Sequence, residues 1–322
     1  MPLIERSSYN APFLLRNGDL QTLYPALMRR LSPARYQRER IYTLDDDFLD
    51  LDWSRTGSRK LSVLSHGLEG NTHRPYMIGM AASLNRHGWD ALAWNYRGCS
   101  GETNRRLRMY HNGIIDDLDC VVRHALRTGQ YDTVALIGFS LGGNLTLMYL
   151  GSMADKLDPR VSASLAFSVP CDLKSGAAQI AKTKNGLYMK QFLISLHGKI
   201  RLKMEQMPGA INDEGYGRIR DFKAFDDRYT APIHGFRDAE DYWEKCSCAR
   251  FLSTIKVPTL IVNALDDPFL AGHCYPIEQA KASRYVHLEM PVHGGHVGFV
   301  QFNENGSYWS ENRAVEFLGQ ML

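Results

Sequence analysis

Apolar and polar residues alternate from Ile41 to Trp53 about a turn at Asp45-Asp46-Asp47, the pattern of a β-hairpin with one buried face. From residue 61 the rhythm changes. Short continuous apolar runs at 61–65, 90–95, 133–138 and 161–167 are separated by stretches of helical period at 75–87, 113–128 and 143–154. A strand buried on both faces has no solvent side for polar residues. Such runs alternating with helices therefore predict βαβ units and a parallel sheet covered on both sides. Near Cys171 the alternation stops, and residues 172–250 read as helices and loops with apolar positions such as Leu187, Tyr188, Phe192, Leu193 and Leu196. It resumes with a strand at 257–263, a helix after Pro276, a strand at 284–290 and a last helix from 310 to 322. The predicted class is α/β, a mostly parallel central sheet flanked by helices. Residues 1–171 and 251–322 make up its core, with an N-terminal extension over 1–40, and residues 172–250 form a helical cap insert.

Composition narrows the function classes. Of the 322 residues, 44% are apolar and 23% charged, an ordinary globular balance. The net charge of +3 is small and its carriers are scattered, which argues against a nucleic-acid partner. Arg105, Arg106 and Arg108 read as a solvated loop, and the three aspartates at 45–47 as a polar hairpin turn rather than metal ligands. Six scattered cysteines, at 99, 120, 171, 246, 248 and 274, lack metal-type spacing and suggest a reducing compartment. No segment has the form of a signal peptide or approaches the roughly eighteen apolar residues of a membrane span. The expectation is a cytoplasmic protein with no stable membrane anchor and no large exposed apolar surface.

The sharpest chemical motif is Gly138-Phe139-Ser140-Leu141-Gly142, placed between the strand at 133–138 and the following helix. A serine on so tight a strand-to-helix turn needs small residues two positions to either side, and it sits over a helix N-terminus. A hydroxyl is a weak nucleophile and needs a general base oriented by an acid. Asp267 follows the strand at 257–263 and His296 follows the next one, so serine, acid and histidine come in the order this turn requires. Asp267 is preferred to Asp266 because a D-P pair followed by an apolar residue suits the acid turn. His296 is preferred to His293 because the helix-proximal end of its loop reaches back toward the serine. The two histidines lack a third nearby ligand, so no metal is expected. Donors for a developing oxyanion are expected from the backbone N–H groups of Leu141 and of Leu68, in the loop Ser65-His66-Gly67-Leu68-Glu69-Gly70. His66 itself is expected to make structural hydrogen bonds.

These residues resemble the YheT-like branch of the α/β-hydrolase superfamily, related to the membrane-anchored abhydrolase lipases of animals. The resemblance spans Gly18–Pro25, His66–Gly70, Asn95–Gly98, Gly138–Asn144, Tyr229–Phe236, Asp266–Phe269 and His293–His296. It implies the α/β-hydrolase fold, the triad Ser140, Asp267 and His296, and esterase or lipase-like activity on carboxylic esters without a cofactor. Asp19 stands where that family usually has His, and the animal relatives' membrane anchor has no counterpart here. The expected function is hydrolysis of small-molecule esters with short- to medium-chain acyl groups. A thioesterase or acyltransferase would use the same triad, and a catalytically silent binding module would be expected to lack part of it.

Overall fold

The apolar runs become the middle of one sheet. The computed structural model describes residues 3–31, 36–182, 184, 186–303 and 305–322. Its strands are β1 (Leu3–Ile4), β2 (Gln37–Tyr42), β3 (Phe48–Ser54), β4 (Lys60–Ser65), β5 (Asp90–Asn95), β6 (Thr133–Phe139), β7 (Val161–Phe167), β8 (Thr259–Val262) and β9 (Val286–Glu289). Their order across the sheet is β1-β9-β8-β7-β6-β4-β5-β3-β2. All neighbours are parallel except at β3, which runs against both β2 and β5.

The pleat divides each strand between two cores. Val134 and Leu136 of β6 enter one apolar cluster, while Ala135, Ile137 and Phe139 enter the other. Helices α1 (Gly18–Met28) and α2 (Pro75–Arg86) precede α3 (Ile115–Arg127) and α4 (Leu141–Met153), as α3 and α4 cover the first face and α2 the second. Between β7 and β8 lie α5 (Leu173–Ile180), α6 (Gly186–Gln206), α7 (Phe222–Phe225), α8 (Ala231–His234) and α9 (Ala239–Cys246). After β8 come α10 (Ile277–Ala282) and α11 (Trp309–Met321), the latter packed beside α2. The helical insert has its own apolar cluster, which includes Ile180, Met189, Leu193, Leu196 and Ile200 and is closed below by Met109 and Phe269 of the core.

Two expectations need correction. The hairpin of β2 and β3 forms, but β3 is buried on both faces, because side chains of the edge strand β2 cover its polar side. Asp50 and Asp52 lie inside and are met by Arg40 and Arg38 of the edge strand β2 in bidentate pairs. The expected lack of exposed apolar surface also fails. Helix α1, which the apolar runs do not reveal, buries Gly18, Gln21 and Pro25 and turns Leu20, Leu23 and Leu27 to the outside.

The aspartate turn is organised around a cation of the protein's own. Arg97 is buried and its guanidinium reaches Asp45, Asp47 and Asp117 at 2.7–3.1 Å. Arg105 and Arg106 are exposed, as expected, and lie against Asp46. Removing one member of a buried ion cluster leaves the others without a counter-charge. Arg97→Ala is therefore expected to destabilise the chain by about 3–5 kcal/mol in urea unfolding, and a loss below about 1 kcal/mol would contradict this account.

Candidate active site

Ser140 sits between β6 and α4 with φ 54° and ψ −118°, a backbone state that a side chain enters only under strain. The flanking glycines make the turn possible. A Cβ on Gly138 would lie 2.2 Å from the Gly142 carbonyl oxygen, and one on Gly142 would lie 2.3 Å from that of Ser65. The Ser140 N–H donates to the Phe167 carbonyl of β7 at 2.8 Å, and its own carbonyl accepts from Asn144 N–H. Both ends of the turn are thus fixed by the sheet and the helix.

The structure brings Asp267 and His296 to this serine from the carboxyl ends of β8 and β9. His296 Nε2 is 2.9 Å from Ser140 Oγ, and His296 Nδ1 is 2.9 Å and 3.1 Å from the two Asp267 oxygens. Asp267 is buried and accepts the Phe269 N–H at 2.8 Å. Burial pushes its carboxyl up from the usual range, against the opposing pull of the His296 imidazole, the Phe269 N–H and the Ser168 hydroxyl. Asp266 and His293 instead pair with each other at 3.1 Å, one step away and more exposed, and Asp266 accepts the Gly295 N–H. They brace the loop and do not contact Ser140.

The loop after β4 approaches from the opposite side. A Cβ on Gly67 would stand 3.2 Å from Ser140 Cβ, so glycine here lets the loop backbone reach the serine. Leu68 and Leu141 line the same cavity as Ser140 and His296. Leu141 opens α4, so its N–H is among those that helix geometry leaves without an intrahelical acceptor. His66 is fully buried, shares a hydrogen bond between Nδ1 and the Gly67 carbonyl at 2.8 Å, and accepts the Tyr96 N–H on Nε2. Burial draws its pKa down to about 3, which suits a neutral structural imidazole.

Several residues that position this chemistry carry no motif of their own. The histidine loop holds Gly294, Gly295, Val297 and Phe299 at positive φ and is propped by the inner face of α1. Thr22 Oγ1 accepts the His296 N–H at 2.9 Å and donates to the Gly18 carbonyl. Gln21 Oε1 accepts the Val300 N–H at 2.9 Å. A Cβ on Gly295 would lie 2.4 Å from the Gly18 carbonyl oxygen, and one on Gly18 would lie 1.8 Å from that of Asp266. Asn17 caps this helix, and the Gly18–Pro25 motif is the only part of it that the sequence marks, without revealing its purpose. Ser168, itself at positive φ, accepts the Val297 N–H on its hydroxyl. Glu69 binds Tyr110 and, through Ser195 of α6, ties the glycine loop to the cap. Asp19 is exposed and accepts the Tyr188 hydroxyl of the cap at 3.0 Å.

Above Ser140 the cap and core enclose about 1020 Å³ of empty space, part of it open to solvent. Phe192 and Leu196 face it, Leu193 packs within the cap, and Leu187 points outward. The apolar stretch of α6 therefore does two jobs at once. His111, His234 and Asp226 also line the cavity. Burial draws His234 down to about 4 and pushes the Asp226 carboxyl up to about 7, so the cavity favours uncharged groups.

The sheet, the tight serine turn and the inserted helices define an α/β-hydrolase. Residues 63–302 match the family model described as alpha/beta hydrolase fold, and the chain belongs to that family. Within it, the chain is 34% identical to YheT of Escherichia coli (strain K12) over 95% of its own length and 91% of that protein, which places it in the YheT-like branch of these esterase- and lipase-type hydrolases. It is 28% identical to phospholipase ABHD3 of Mus musculus over 87% of this chain and 70% of that one. The solved Pyrococcus furiosus esterase Pf2001 shares the fold with a TM-score of 0.62 at 18% identity, covering 97% of this chain and 99% of its own.

Two outcomes follow. Thr22→Val leaves the His296 N–H without its acceptor, and a buried donor so stranded costs about 1–3 kcal/mol; turnover is expected to fall while Thr22→Ser restores it. The second concerns pH. His234 ionises near 6.5 in an unfolded chain and near 4 in the fold, so the unfolded state binds the extra proton between those values. Stability therefore falls as pH drops from 6.5 toward 4, and His234→Gln should show a shallower fall in unfolding free energy across that window.

Proposed function

We propose that this chain is a serine hydrolase that cleaves carboxylic esters through an acyl-enzyme. The observation that carries the reading is the unbroken hydrogen-bonded line from Asp267 through His296 to Ser140 Oγ, at the floor of a largely apolar cavity. Ser140 attacks the ester carbonyl as His296 Nε2 takes its proton, and Asp267 holds Nδ1–H and stabilises the imidazolium. The Leu68 and Leu141 N–H groups receive the oxyanion, and His296 returns the proton to the leaving alcohol. Water, activated by the same imidazole, then frees the acid. The cycle calls on no cofactor. The names of the sequence relatives, an esterase and a phospholipase among them, support an ester as substrate. Six unpaired cysteines, five of them buried, support a reducing cytoplasm as its setting.

The expected preference for short to medium acyl chains rested on the lack of an anchor and of a large exposed apolar surface, and the exposed leucines of α1 remove the second of these grounds. A cavity walled by Phe192, Leu196, Phe222, Phe225 and Ile180 is suited to an apolar acyl group. Ser140→Ala is expected to lower ester turnover by about a thousandfold or more and to abolish labelling by a fluorophosphonate probe. Near-normal turnover in that variant would overturn the assignment.

A further inference from the structure

We propose that the outer face of α1 and the surface around it dock on an anionic lipid layer, from which the cavity takes its ester; this deepens the hydrolase reading and rests on it. Leu20, Leu23 and Leu27 recur at spacings of three and four and form one outward stripe, opposite the stripe of Gly18, Gln21 and Pro25 that braces the histidine loop. Just before the helix, Phe13 and Leu14 stand 79% and 81% exposed on a tight turn. Further exposed apolar side chains lie on, or next in sequence to, residues linked to α1 by contact. Phe302 meets Tyr24 ring edge to face at 5.9 Å, and Leu187 adjoins Tyr188, which donates to Asp19. Leu265 adjoins Asp266, whose carbonyl presses on Gly18, and Val292 adjoins His293, the partner of Asp266. With Met28, these account for ten of the sixteen large apolar side chains that the described residues expose.

Charge selects the kind of partner. From Leu173 to Met204 the cap has no acidic residue, and Lys182, Lys184 and Lys190 are exposed on it. Arg16 and Arg30 are exposed at the two ends of α1, and the single acid of that helix, Asp19, accepts the Tyr188 hydroxyl. Cations at the ends of α1 and on α6, which meets α1 through Tyr188, match a surface of negative headgroups over hydrocarbon. Shape favours a lipid layer over a folded partner. Side chains that project almost completely from a convex turn enter a fluid layer readily, whereas a protein would need a fitted pocket for each.

The patch also lies next to the site. Tyr188 packs edge-on against Phe269 at 4.9 Å, and Phe269 against His296 at 4.3 Å. Two aromatic rings in series thus separate α1 from the proposed base.

The test uses the full chain carrying Ser140→Ala, sedimented with vesicles of phosphatidylcholine alone or with about one quarter phosphatidylglycerol. Binding is expected to the anionic vesicles and to weaken as salt rises from about 0.1 M to about 0.5 M. The triple variant Leu20→Ser, Leu23→Ser, Leu27→Ser should bind about tenfold more weakly or less. In the chain that keeps Ser140, the same triple variant should retain the melting temperature and the rate on a water-soluble ester. No sedimentation of the parent with either vesicle would overturn the proposal. So would equal binding by the triple variant, or a dimer in sedimentation velocity that the triple variant dissociates. Because binding is read without turnover, failure of the hydrolase reading would appear in the soluble-ester assay and leave sedimentation unchanged.

Discussion

The backbone at Ser140 is the constraint on which the site depends. Its φ of 54° and ψ of −118° lift the hydroxyl off the end of β6 and free the Leu141 N–H at the start of α4. Such a conformation persists only where its surroundings leave no alternative. Here the Phe167 carbonyl holds one end of the turn, the first turn of α4 holds the other, and Gly138 and Gly142 pack too closely for any side chain. Folding free energy gained in two apolar cores thus maintains one unfavourable turn, and that turn presents the Ser140 hydroxyl to the cavity.

The histidine loop is subject to the same constraint. Val297 and Phe299 hold positive φ, costly for a branched and an aromatic side chain, and the loop makes little regular structure of its own. Its support is external: Ser168 at the end of β7, Asp266 below it, and Gln21 and Thr22 alongside. The His296 loop is therefore set by groups from three distant parts of the chain. The glycine loop is likewise joined to the cap through Glu69, Tyr110 and Ser195, so the lid and the floor of the cavity share a hydrogen-bonded link.

Much of the fold was legible because buried parallel strands must be continuously apolar, as at 133–138 and 161–167, and their helices amphipathic. The residues brought together at Ser140 were legible for a different reason. A tight turn, an acid and a histidine after successive strands are local features whose order follows from the topology, and in the structure Asp267 and His296 lie at Ser140 while Asp266 and His293 pair with each other. What escaped depends on tertiary context. Helix α1 carries Pro25 within it and a buried face of glycine, glutamine and proline, so neither propensity nor apolar period marks it. The polar side of β3 reads as solvent-facing, since nothing local shows that Arg38 and Arg40 will cover Asp52 and Asp50.

The two faces of α1 bear on where the working unit begins. The segment that matches the family model starts at residue 63, yet the groups that fix the His296 backbone lie at 21 and 22, and β9 takes its outer neighbour from residues 3 and 4. A fragment trimmed to the matched span would keep the serine, acid and histidine while losing the scaffold that holds the histidine in place. Modularity judged from recurring sequence is in this chain narrower than modularity judged from mechanics. The described residues among the first forty act as a brace for the histidine loop and the sheet edge rather than as an appendage.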